Sequence, residues 1–172
     1  KRFIVPRPWA AMTGISPAIY SKAIFKNIKH VDARFDNNYS EPNLAYNLIP
    51  ETLNNCMYHG YFQSEKYFKH NREKIIETLC FDHLNIDTDH LKDYCSIHVR
   101  RGDYIKLKHI YNILNHDYYK QAMNMVDCDR YIIFSDDLSW CKRTFVGDQF
   151  TFSDEQDITA IIYTMSKCSS NI

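Results

Sequence analysis

Two adjacent arginines stand in the run His98-Val99-Arg100-Arg101-Gly102-Asp103, and they are the side chains of this sequence best suited to hold an anion. A guanidinium stays charged at any working pH and offers planar, bidentate donors that match a diphosphate. Alternate side chains of an extended strand share a face, so His98 and Arg100 point one way and Val99 and Arg101 the other, until Gly102 lets the backbone turn. One arginine can then face a crevice while the other fastens the loop or pairs with a carboxylate. The chain has four glycines, and neither G-x-G-x-x-G nor G-x-x-x-x-G-K-[ST] occurs. A bound nucleotide would therefore have its phosphates held by side chains, and an arginine is the natural counter-charge for a departing pyrophosphate. A surface salt-bridge network fits the same spacing.

Asp136 and Asp137 form the second polar cluster. A carboxylate at a strand end can accept two parallel N–H donors, such as those of a guanine edge. It can equally ligate a divalent metal or cap the following helix. His98 can contact a base or move a proton, or simply pack. Arg101-Gly102-Asp103 spells the cell-adhesion tripeptide, but it follows an apolar strand directly instead of crowning an exposed loop. Tyr58, Tyr61, Phe62, Tyr67 and Phe68 offer either a sugar-stacking surface or core packing. The remaining histidines show no metal-ligand spacing, and no nucleophile elbow is present.

The elements that must position these groups are legible in part. Residues 1–60 are interrupted by Pro6, Pro8, Pro17, Pro42 and Pro50, which break any long element. Ser64 opens a predicted helix through Leu79, with Tyr67, Phe68, Ile75, Ile76 and Leu79 on one face. Residues 94–99 read as a strand, followed by a polar loop. Asn115 or His116 starts a helix carrying Tyr118, Tyr119, Ala122, Met123 and Val126. The apolar run 131–134 reads as a buried parallel strand, and Ser135-Asp136-Asp137 ends it ahead of a brief helix through Lys142. Residues 149–152 form a further strand, and Ser153 with Gln156 makes a capping box before Ile158, Ile161, Ile162 and Met165. This alternation predicts an α/β fold with a parallel sheet, in which ligands collect where strands end in βα loops. Both polar clusters fall at such ends. The organisation divides at residue 93: 1–93 is mostly helical and irregular, and 94–172 is the sheet-forming half.

Composition narrows the function. Lys plus Arg and Asp plus Glu balance at 21 each, which argues against a sequence-independent nucleic-acid binder. Six cysteines stand singly without a C-x-x-C pair, so neither a zinc ribbon nor a redox motif is present, and reduced, mostly buried thiols are expected. No apolar run approaches the length of a membrane span, and no signal peptide is seen.

The run Cys95-Ser96-Ile97-His98-Val99-Arg100-Arg101-Gly102-Asp103-Tyr104 resembles the first motif of the α-1,2-fucosyltransferases, family 11 of the glycosyltransferases. Gly60 to Phe68 looks like that family's aromatic segment, Asp117 to Ala122 like its next helix, and Phe134 to Lys142 like its second motif. Asp157 to Ser170 resembles the helix before its third. The resemblance covers about residues 58–172. It implies two Rossmann-like halves in a GT-B-like arrangement, with 1–93 on the acceptor side and 94–172 binding GDP-fucose. It implies inverting transfer of L-fucose to a glycan hydroxyl, typically the 2-OH of a galactoside, with no cofactor and no metal. By position, Arg100 would clamp the β-phosphate, Asp137 would bind the guanosine portion with His98 and Asp136 assisting, and Arg101 and Asp103 would organise the loop. The catalytic base is not specified: Asp103 and His98 are candidates, and a segment outside these residues is a third.

The family's glycine-rich G-G-L-G-N-Q segment and its Ser/Trp-rich third motif are not among these residues, so the sequence predicts weak or no activity for this stretch alone. Membrane association would require segments outside it. A degenerate transferase that binds glycan or a protein is the competing expectation, and a metal-dependent phosphotransfer enzyme using Asp136 and Asp137 is a third. Acceptor identity and compartment are not specified.

Overall fold

The computed structural model describes residues 24–27, 34–51, 54–81 and 83–172, so Pro6, Pro8 and Pro17 lie outside the described residues. The chain forms two compact units, Lys1–Phe81 and Asp82–Ile172. No helix among the described residues is long and apolar enough to cross a membrane.

In the first unit, β1 (Asn37–Ser40) pairs in parallel with β2 (Cys56–His59). The Glu41 carboxylate accepts the N–H groups of Tyr61 and Phe62 at 2.8 and 2.9 Å, pinning the turn after β2. Most of the aromatic segment packs on itself: Phe62 contacts the rings of Tyr39, Tyr58 and Tyr67, and Tyr67 meets Tyr46 at 4.9 Å. Tyr61 stays largely exposed. The single helix expected from Ser64 to Leu79 is instead two 3₁₀ turns, Glu65–Tyr67 and Lys69–Asn71, followed by α1 (Arg72–Thr78). Phe68 leaves helical geometry at φ −134°, and Ser64 makes no side-chain cap. Tertiary contacts decide this: the Tyr67 hydroxyl accepts the Asn47 N–H at 2.8 Å, and local helical preference yields to that docking.

The second unit is a Rossmann-like α/β layer. Its strands are β3 (Cys95–Val99), β4 (Tyr131–Ser135), β5 (Phe150–Phe152) and β6 (Ser170–Asn171), all parallel in the order β5-β4-β3-β6. Between them run α2 (Gly102–Lys106), α3 (His116–Met123), α4 (Leu138–Thr144) and α5 (Ile158–Lys167). Cys95, Ile97 and Val99 alternate onto one face and pack with Tyr131, Ile133, Tyr119, Cys141 and Phe145 into the core. Ser96 and Phe134 are buried on the other face. Going from β3 to β4 to β5 the chain steps one way; going to β6 it returns past β3. Right-handed crossovers then put α5 on the face opposite α3 and α4. The strand order reverses at β3, so its carboxyl end borders a topological switch point.

Three local expectations are corrected here. The polar loop after β3 contains the helix α2. The capping box at Ser153 and Gln156 does not form; Asp157 caps α5, accepting the N–H groups of Thr159 and Ala160 at 2.7 and 3.0 Å. Those N–H donors hold the Asp157 carboxyl below its usual range. Strand β6, which the sequence pattern did not signal, adds to β3 through Ile172 N–H to the Ser96 carbonyl and His98 N–H to the Ile172 carbonyl, at 2.8 and 2.9 Å. Asn115 caps α3 as expected, its side chain accepting the Tyr118 N–H at 3.1 Å. None of the six cysteines is paired in a disulfide, and Cys80, Cys95 and Cys141 are buried.

Candidate functional site

The parallel register of β3 and β4 sets Val99 beside Ser135. Continuing past the strand ends, the next residues meet in the same order: Arg100 with Asp136, then Arg101 with Asp137. Arg100 Nη1 lies 3.0 Å from Asp136 Oδ2, and Arg101 Nε lies 3.3 Å from Asp137 Oδ2. Arg100 also reaches Asp103 in the first turn of α2, Nη2 to Oδ1 at 2.8 Å. The two clusters of the sequence are therefore one site at the carboxyl edge of the sheet.

The two arginines differ in standing. Arg101 is a fixture: its side chain is 16 % exposed, and its guanidinium lies 4.1 Å from the Trp140 ring centroid in a cation–π contact. Arg100 is 47 % exposed and rests against Tyr104, which stacks on Tyr111 at 4.3 Å between centroids. Its guanidinium carries five N–H donors, and these ion pairs engage two of its nitrogens.

Asp136 is the pivot. Its Oδ1 accepts the backbone N–H of Arg101 at 2.8 Å. Burial pushes its carboxyl up, but the N–H groups of Gly102 and Arg101 and the Arg100 charge outweigh that and hold it below the usual carboxylate range. Gly102 is needed for this approach, because a Cβ there would stand 2.8 Å from Asp136 Oδ2. Asp137 caps α4, with Oδ1 accepting the Trp140 N–H at 3.0 Å. Ser135 ties the strand ends together: its hydroxyl donates to the Val99 carbonyl at 2.8 Å and accepts the Asp137 N–H at 2.9 Å. Each oxygen of Asp136 and Asp137 thus already has a donor. Among the described residues, no group of three or more His, Cys, Asp and Glu is placed to hold a metal ion.

His98 is exposed on the face away from the Ile97 and Val99 core side. Partial desolvation lowers its pKa, with Arg100 adding to that and Asp136 opposing it. His98, Arg100, Arg101, Asp103, Asp136 and Asp137 are thereby gathered within one neighbourhood. The sequence reading did not single out Trp140 as the ring beneath Arg101, nor Tyr104 and Tyr111 as the stack beside Arg100. Only contacts between elements reveal them.

With this geometry in view, comparison with known proteins is informative. The family described as Glycosyl transferase family 11 matches residues 18–172. An O-antigen biosynthesis glycosyltransferase of Escherichia coli, WbnK, is 30 % identical over 164 residues, 75 % of this chain and 54 % of that protein. An alpha-1,2-colitosyltransferase of Escherichia coli is 32 % identical over 116 residues, 56 % of this chain and 37 % of that protein. The chain spans about half the length of the first relative and less of the second. No solved structure gives a significant match.

Proposed function

The chain belongs to glycosyl transferase family 11, and from that premise we propose that its sheet edge binds the diphosphate of GDP-fucose for inverting transfer of L-fucose to a glycan hydroxyl, the 2-OH of a galactoside. The observation that carries the reading is Arg100: a half-exposed guanidinium just past the carboxyl end of β3, the strand that borders the switch point of the parallel sheet, paired with Asp136.

In this reaction the bond from the anomeric carbon to the β-phosphate oxygen breaks while the acceptor oxygen adds from the opposite face. The ring gains cationic character, and negative charge grows on the diphosphate. Arg100 balances that charge with donors oriented before the reaction begins, so little reorganisation is needed. Arg101, stacked on Trp140, holds the loop that presents Arg100. Asp137 keeps a free lone pair on each oxygen for a guanine N–H while its other bonds keep α4 and Arg101 in place. A loose transition state demands little of a base. Among these residues, His98 and Asp103 are the candidates to take the acceptor proton.

A metal is not required by this scheme, since Arg100 supplies the charge. Transfer should therefore persist in excess chelator, and loss of activity that added divalent cation restores would return Asp136 and Asp137 to a metal-binding role. The donor sugar is the finer question, because one relative is named for colitose. Product NMR decides it: GDP-fucose and a β-galactoside should give an α-linked fucosyl group at O2 with release of GDP. Transfer from another nucleotide sugar, with none from GDP-fucose, would replace the donor assignment.

A further inference from the structure

The two carboxylates on Arg100 are not equivalent. Asp136 is fixed by backbone N–H groups on one side and by Arg100 on the other, and its side chain is 26 % exposed. Asp103 is 55 % exposed, and among the described residues its one ionic or hydrogen-bonded partner is Arg100 Nη2. Arg100 therefore has a permanent counter-ion and an exchangeable one.

We propose that Asp103 is a stand-in for the ligand: its carboxylate pairs with Arg100 Nη2, and an incoming diphosphate oxygen displaces it while Asp136 keeps Nη1. This rests on the reading of Arg100 as the diphosphate ligand. Two arguments support the exchange. An exposed ion pair contributes little and is readily given up, whereas a diphosphate oxygen brings more negative charge to the same Nη2 and a stronger charge-assisted hydrogen bond. In addition, two arginines and three aspartates leave one excess negative charge at the site, which opposes an anion. Withdrawal of Asp103 leaves two arginines against two carboxylates before the ligand's own charge is counted. Asp103 thus acts through Arg100: every anion that takes Nη2 must compete with it.

The test is calorimetric titration of the full chain with inorganic pyrophosphate and with GDP, repeated for D103N, D103E and R100A, with circular dichroism confirming the fold of each. Removing the competitor should tighten both ligands by about two- to fivefold in D103N, and the gain should shrink as salt rises. D103E, which keeps the charge, should bind like the parent, and R100A should lose binding. A purely structural Asp103 would make D103N bind more weakly. Unchanged or weaker binding in D103N while R100A still loses binding overturns the exchange and leaves the role of Arg100 standing. Parent-like binding in R100A, or no binding to the parent chain, overturns both.

Discussion

Val99 and Ser135 are partners in the parallel pair β3–β4, and the Ser135 hydroxyl donates to the Val99 carbonyl at 2.8 Å. The bond lies at the end of a five-residue register, and continuing that register brings Arg100 to Asp136 and Arg101 to Asp137. A one-residue slip would leave at most one arginine opposite an aspartate and turn the apolar side chains of β3 away from the core.

Asp136 should make the protein acid-sensitive. Its carboxyl is held below its ordinary value in the folded state. Its contribution is therefore present above the unfolded carboxylate pKa, about 3.9, and is lost as pH falls from there through the folded value. Thermal melts of the parent and of D136N should converge as pH drops through this range. At neutral pH D136N should be less stable by about 1–3 kcal/mol, since the bonds to the Arg101 and Gly102 amides and to Arg100 weaken together. A constant gap between the two proteins down to acid pH would sink the assignment.

Arg100→Lys tests the fork separately from the charge. Lysine keeps the positive charge but cannot make planar, bidentate contact with a diphosphate. In the full-length enzyme, turnover of the proposed donor GDP-fucose should fall on the order of a hundredfold, comparable with removal of one oriented donor from a developing oxyanion. Steady-state kinetics close to those of the parent would remove Arg100 from the mechanism.

How much of this the sequence discloses depends on how local each cause is. Strands β3 and β4 were legible because Ile97 and Val99, and the run Tyr131 to Phe134, are β-prone and apolar. Strand β6 was not, because Ser170 and Asn171 carry no strand signal and are ordered by pairing with β3. Helix α2 is five residues long, too short to show a period, and its first residue sits against Asp136. The arginine and aspartate pairs announced themselves by residue type. Which arginine meets which aspartate is a consequence of register, and the ring beneath Arg101 is a consequence of packing. The expected helix from Ser64 failed for the same reason in reverse: its spacing was right, but Tyr67 is claimed by Asn47 and the rings of Tyr46 and Phe62.

Gly102→Ala should disturb the site without replacing a charged group. A Cβ at this position would stand 2.8 Å from Asp136 Oδ2, and that oxygen is already held by Arg100. Relief requires the carboxylate to move, which loosens Arg100 at the same time. Overpacking of this kind costs about 1–3 kcal/mol, and nucleotide affinity should fall with it. A G102A protein that melts and binds GDP like the parent would show that the close approach has no mechanical consequence.

Trp140 provides the last test, because it separates a π-face from mere bulk. The Arg101 guanidinium lies 4.1 Å from its ring centroid while the same ring meets Phe145 edge-on at 6.0 Å. Trp140→Phe keeps an aromatic face for the cation, whereas Trp140→Leu keeps apolar volume without one. Both lose packing against Phe145, so the difference between them reports the cation–π contact, about 0.5–1 kcal/mol for a partly exposed pair. Denaturant melts should rank parent, then W140F, then W140L. If Arg101 presents Arg100 to the diphosphate, GDP affinity should follow the same ranking. Equal stability and equal affinity for W140F and W140L would mean that Asp137 alone holds Arg101.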